Sequence, residues 1–185
     1  MSLEQLKASL PEYAKDLKLN LGSVMTTSDL SEQQIWGAAL ASAIASRNTA
    51  VTATIEGETR GRLSETALRA AKAAAAIMGM NNVYYRFTHL ASNKEYRSMP
   101  ARLRMNALAN PGVEKLDFEL WSLAVSAVNG CGMCIEAHGR EVLAKGASKQ
   151  AVQDVVRVAS VIHAVAVTLE AEDAFSAEQK AAAAA

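Results

Sequence analysis

The sequence predicts an all-α fold, and three observations carry that expectation. Only three prolines, Pro11, Pro100 and Pro111, punctuate 185 residues. Apolar and polar residues almost never alternate with the period of a strand. Alanine is abundant; it is the best helix former, and its small side chain lets helices approach closely.

The elements follow in order. Leu3 to Leu10 reads as a short helix, and Pro11 suits the first turn of the next, where its missing N–H costs nothing. Ser31 followed by Gln34 is a capping-box pattern opening a helix to about Ser46. A shorter helix covers Thr49 to Glu58. Ser64 caps a long alanine-rich helix that ends near Tyr84. The stretch 88–111 is mixed, with one helix expected around Arg102 to Ala109. Asp117 is expected to cap a helix to about Val128, stopped by Asn129-Gly130, two residues that tolerate the left-handed conformation. The next helix starts near Cys131 and stops at Gly146, and Ser148 caps a last long helix to about Ala171.

This length is one domain. Residues 1–175 are expected to form it, with 176–185, including the Ala181–Ala185 run, as a tail that is disordered or adventitious. Half the residues are apolar, which makes the chain globular. Nineteen basic residues balance nineteen acidic ones, so composition offers no grip on nucleic acid or anionic lipid. No continuous run of about 18 apolar residues occurs, so no membrane span is expected. The mixed-charge start Met1–Lys7 lacks an apolar signal core, and a cytoplasmic protein is the expectation.

A faint repeat relates residues 31–86 to 116–171. A shift of 85 places Trp36 on Trp121, Ala39 on Ala124, Gly61 on Gly146, Ala74 on Ala159 and Ile77 on Ile162. Two unrelated helix pairs in an alanine-rich chain would give some of these matches. A duplicated helical unit keeps the tryptophan, the stopping glycine and the following apolar helix in register together.

Both cysteines lie in Cys131-Gly132-Met133-Cys134. Chance, plain packing, half of a zinc site and a redox dithiol are all open for such a pair. Zinc wants four ligands in a structural site, and here His138 and Glu119 would have to complete it. Where thiols are kept reduced, a vicinal pair is usually catalytic or sensing. At a helix start, positions i and i+3 share a face, so the two sulfurs can meet. The free amides and dipole of that helix favour a thiolate. His138, four residues beyond Cys134, can take or return a thiol proton near neutral pH; a satisfied helical histidine is the alternative. Glu119 interrupts the apolar run Phe118–Val125. A dipole-stabilising surface carboxylate and a partly buried group that orients His138 or shuttles a proton are equally open. Trp36 and Trp121 read as packing residues, and His163 as a hydrogen-bonded core or interface histidine. Met78, Met80, Met99 and Met105 read as packing fillers. Arg102 and Arg104 read as a solvated face, and His89 is given no role.

The spacing is Glu-x11-Cys-x2-Cys-x3-His. With it stand Leu3–Ser23, including Leu10-Pro11-Glu12-Tyr13-Ala14-Lys15-Asp16, then Ile77-Met78-Gly79-Met80-Asn81-Asn82-Val83. Leu103-Arg104-Met105-Asn106, Ala109-Asn110-Pro111-Gly112 and Phe118–Cys134 follow. In these segments, over nearly its whole length, the chain resembles the alkylhydroperoxidase D (AhpD) family of the carboxymuconolactone decarboxylase-like superfamily. The resemblance implies an AhpD-like all-α fold from two duplicated units, only the second carrying the CxxC site, and a homotrimer. It implies an antioxidant thiol peroxidase for alkyl hydroperoxides that also passes electrons to the peroxiredoxin AhpC. Their implied source is dihydrolipoamide on a lipoyl-bearing acyltransferase served by its dehydrogenase. Lipoamide is then a substrate, and no bound cofactor or metal is implied. Cys131 and Cys134 become the redox-active disulfide, with Glu119 and His138 as proton relay. Met133 stands where the family's best-known members carry a histidine. In the first unit the four places hold Gln34, Ser46, Thr49 and Ala53, so that unit is expected to be scaffold.

The expected cycle has Cys134 attack the peroxide, Cys131 resolve the sulfenic acid, and a dihydrolipoyl group reduce the disulfide. Cys131, at the helix start, is expected to be the sulfur more open to a bulky dithiol. The alternatives are a lyase of the carboxymuconolactone decarboxylase type, which would need no CxxC, and a non-enzymatic redox-switched partner protein.

Overall fold

The computed structural model describes residues 1–26 and 29–183. Among them there are nine α-helices and no strand: α1 (Leu3–Ala8), α2 (Lys15–Val24), α3 (Glu32–Ser46), α4 (Thr49–Thr59), α5 (Glu65–Leu90), α6 (Asn106–Ala109), α7 (Lys115–Val128), α8 (Gly132–Ala144) and α9 (Lys149–Ala183). The all-α expectation holds. Ser31 and Gln34 form the reciprocal capping box of α3. The Ser64 and Ser148 hydroxyls accept the amides of Ala67 and Ala151.

Boundaries differ where tertiary contacts override local signals. α5 runs to Leu90 rather than Tyr84. Its extension is tied across to the end of α7, where Arg86 Nη1 donates to the Asn129 carbonyl at 2.6 Å. The helix expected around Arg102 shrinks to α6, preceded by a short 3-10 turn at Lys94–Arg97. α9 continues past Ala171 to Ala183, and positions 184 and 185 of the alanine run lie outside the described residues. Asp117 is not the cap of α7. Glu114 holds that position without a side-chain bond, while buried Asp117 accepts from Gln33 Nε2 at 2.6 Å and Gln34 Nε2 at 2.8 Å. Its carboxylate ties α7 to α3 instead of closing its own helix.

The packing follows the duplication. α3 and α7 lie against each other at the centre, each carrying its following short helix, α4 or α8. α5 touches both α3 and α7, and so does α9. The long helix of each unit also reaches the other unit's short helix, α5 against α8 and α9 against α4. A shift of one unit onto the other exchanges these pairs, as a pseudo-two-fold requires.

At the centre the backbones approach closely. The Trp121 indole lies over Gly37, donates from Nε1 to the Gln34 carbonyl at 3.1 Å, and is fully buried. A Cβ at Gly37 would overlap the ring. Gly37→Ala is therefore expected to lower stability by about 1–3 kcal/mol, because overpacking outweighs the ~1 kcal/mol that alanine gains in a helix. A denaturant titration checks this, and an unchanged midpoint would contradict the contact. Trp36 is buried, with the Arg62 guanidinium 4.4 Å above its ring.

The stretch Lys149–Ala177 of α9 has the length and apolarity of a membrane span. Here Val155, Val158, Ile162, Val165 and Leu169 are buried, and the helix packs on α2, α3 and α7. The apolar stripe is thus used as core.

Candidate active site

The turn between α7 and α8 sets the cysteines. Gly130 adopts φ +65°, which a Cβ would strain. Its amide bonds to the Ala127 carbonyl and that of Cys131 to Ser126, closing α7 in a Schellman motif. The same Cys131 is the N-cap of α8: its Sγ accepts the Cys134 amide at 3.3 Å. One residue thus ends a turn and starts a helix. Cys131 and Cys134 are joined as a disulfide with their Cα atoms 5.3 Å apart.

The two sulfurs have different surroundings. Cys131 is fully buried, while Cys134 is 5% exposed and lines a cavity of about 320 Å³ with His138, Asn81, Tyr85, Met105 and Met133. The expectation that Cys131 is the more open sulfur is therefore reversed. A helix start is not automatically exposed; α8 packs against α7, α5 and α9. What Cys131 gains is the free amides of α8, which would hold a thiolate once the disulfide opens.

His138, expected above the cysteines, lies on that same wall. Its Nδ1 is 2.6 Å from Glu119 Oε2 and its Nε2 is 3.2 Å from Met78 Sδ. The Glu119 carboxylate accepts from Nδ1–H, and Nε2, turned to Met78 Sδ, is the ring's other nitrogen. Glu119 is not a surface carboxylate: it is 5% exposed and faces the histidine. Burial pushes its carboxyl up. The His138 hydrogen bond and charge, with the ammonium of Lys115 at 3.4 Å, outweigh this and hold it below its ordinary 4.5. A carboxyl depressed in the fold contributes stability that is complete above 4.5 and is lost as pH falls through the folded value. Melting curves of wild type and Glu119→Gln are expected to differ at neutral pH and to converge in acid; a constant gap down to pH ~3 would contradict the assignment.

Several supporting residues escaped the sequence. Lys115 joins Glu119 to the Leu108 carbonyl; its i,i+4 spacing from Glu119 was the available signal. Met78 is fully buried in the core, as a packing residue should be, and its Sδ also faces the histidine ring. Asn82 donates to Ser126 Oγ at 3.0 Å and accepts from Asn129 Nδ2 at 2.9 Å, locking α5 to the cysteine turn. Two adjacent asparagines in an alanine helix were its only trace. His163, hydrogen-bonded as expected, is half-buried and bonds Ser46 Oγ at 3.2 Å. No three of His, Cys, Asp or Glu converge on one position among the described residues.

Comparison with known proteins extends this picture. A model of the Carboxymuconolactone decarboxylase family matches residues 94–177. The chain is similar to proteins named alkyl hydroperoxide reductase AhpD over longer spans. It is 65% identical over 176 residues to that of Rhodospirillum centenum, covering 95% of each chain. It is 57% identical over 172 residues to that of Streptomyces griseus subsp. griseus, covering 93% of this chain and 97% of the other. With that of Frankia alni it shares 56% identity over 184 residues, 100% of both.

Proposed function

We propose, for a chain that belongs to the alkyl hydroperoxide reductase AhpD family, that the Cys131–Cys134 pair reduces alkyl hydroperoxides with electrons from a dihydrolipoyl group. Family membership makes the protein an oxidoreductase of the peroxide-reducing, antioxidant kind. The observation that carries the mechanism is the shared cavity wall. Cys134 stands beside a histidine whose far nitrogen is held by a buried carboxylate.

In the reduced protein, His138 Nε2 takes the Cys134 proton through a water. The Cys134 thiolate attacks the terminal peroxide oxygen, the O–O bond breaks, and the alkoxide leaves as alcohol after taking the proton back. Cys131, a thiolate at the start of α8, attacks the sulfenic sulfur and expels hydroxide, which leaves as water. The disulfide is then attacked at Cys134, the sulfur open to the cavity. Cys131 departs as a thiolate stabilised by the helix amides, and the second lipoyl thiol frees Cys134 as it closes the lipoyl disulfide.

The physiological donor in this reading is a lipoyl-bearing acyltransferase recharged by its dehydrogenase, and the onward acceptor is the peroxiredoxin AhpC, in the cytoplasm. A homotrimer is also part of it. Val83, Phe87 and Leu90 are exposed at i, i+4 and i+7 on α5, with Tyr96 5.1 Å from Phe87, an apolar stripe suited to a neighbouring copy. Steady-state consumption of cumene hydroperoxide with dihydrolipoamide, with and without AhpC, tests the proposal. Turnover with excess donor supports it; a single stoichiometric oxidation with no turnover would make the pair a switch instead.

A further inference from the structure

Asn81 lies on α5, 4% exposed, in the wall that holds Cys134 and His138. Its neighbour Asn82 is bonded to Ser126 and Asn129, whereas Asn81 Oδ1 has no hydrogen-bond partner in the protein. A buried acceptor left unmatched is destabilising, and such groups are few in folded proteins and call for an explanation.

The duplication supplies a control. The shift of 85 places Ala166 at the position of Asn81 and Glu170 at that of Tyr85. Both line a cavity of about 510 Å³ beside Ser46, which stands at the place of Cys131. Of the first unit's four chemical positions only Ser46 lines that cavity, and its wall at the place of Asn81 is a methyl group. The fold therefore does not need an amide here. The amide occurs with the cysteines, as Glu119 and His138 do.

We propose that Asn81 positions the hydroperoxide, its carboxamide oxygen accepting the peroxide O–H while the organic tail lies against Met105, Leu108 and Met133. This rests on the reading that Cys134 takes the terminal oxygen. The step balances as written: the S–O bond forms as O–O breaks, the O–H stays with the sulfenic acid, and the alkoxide takes its proton from His138. Dihydrolipoyl thiols enter later and need no such acceptor, so only the peroxide half depends on Asn81.

The test separates the halves by stopped flow. Prereduced protein is mixed with cumene hydroperoxide, and oxidised protein with dihydrolipoamide, for wild type, Asn81→Leu and Asn81→Ser. Asn81→Leu is expected to slow oxidation roughly tenfold, the worth of one hydrogen bond, and to leave the lipoyl half within about twofold by the same argument. Its melting temperature should be unchanged or raised, since an unmatched polar atom is removed. Asn81→Ser, which keeps a hydroxyl acceptor, should recover part of the rate. Unchanged oxidation in Asn81→Leu overturns the proposal, and so does an equal loss in both halves with a lowered melting temperature. Failure of the underlying reading looks different: Cys134→Ser would then be oxidised as fast as wild type.

Discussion

Cys131→Ser and Cys134→Ser are each expected to reduce lipoyl-dependent peroxide turnover to background with helix content unchanged. A shared disulfide needs both sulfurs, so each single loss stops the cycle, at a different point. Cys134→Ser removes the sulfur on the cavity wall and should form no sulfenic acid. Cys131→Ser keeps that sulfur and should be oxidised once, stopping at a sulfenic acid that a dimedone-type probe captures. The fold should tolerate both changes. Cys131 is the N-cap of α8, accepting the Cys134 amide through sulfur, and serine is among the best N-caps. Cys134 contributes a small side chain to a cavity wall rather than to the packed centre. Full activity in either mutant would sink the mechanism. Metal analysis of the purified protein is the companion measurement, since stoichiometric zinc lost on either substitution would replace redox chemistry with metal binding.

The architecture was legible because its signals are local. The Ser31–Gln34 box, the serine caps at Ser64 and Ser148, and the stop at Asn129-Gly130 each depend on residues within one turn. Asp117 was misread for the same reason: a carboxylate near a helix start matches a cap pattern, and only the neighbouring α3 glutamines reveal its use. α5 outran its expected end where side-chain bonds tie it down, Arg86 to the Asn129 carbonyl and Arg97 to the Thr88 and His89 carbonyls. In the site, the CxxC spacing gave the dithiol and the i+4 spacing gave His138. Exposure of the two sulfurs could not be read this way. It depends on the tertiary packing around the start of α8, which buries Cys131 fully and leaves Cys134 on the cavity. The same holds for Asn81 and Met78, which stand 50 and 53 residues before Cys131.

In the proposed mechanism one unit carries all the chemistry, and corresponding positions of the other unit are occupied by residues with structural contacts. Gln34 stands at the place of Glu119 and is used for structure: it completes the α3 capping box and reaches Asp117. Ser46, at the place of Cys131, bonds His163 on α9, where α5 has Met78.

His138→Gln is expected to slow turnover by roughly 10²–10⁴-fold, the usual worth of a positioned general base. Glutamine keeps polar atoms near Glu119 but cannot take a proton near neutral pH. Glu119→Gln separates two ways in which a carboxylate can help. A group that only orients the ring could be replaced by the glutamine carbonyl, which still accepts from Nδ1–H. A group that also stabilises the imidazolium formed on proton transfer cannot, because the amide carries no charge. The geometry favours the second: the carboxylate is 5% exposed, 2.6 Å from Nδ1, and held ionised below the ordinary range despite burial. Glu119→Gln should therefore lose more than about tenfold, beyond what one neutral hydrogen bond explains. Alkylation of the reduced protein by iodoacetamide as a function of pH checks the origin of the loss. The apparent thiol midpoint should rise in both mutants, since both weaken the base that takes the Cys134 proton. Identical alkylation profiles in wild type and both variants would mean that neither residue governs the thiolate, and the relay would have to be given up even if turnover fell.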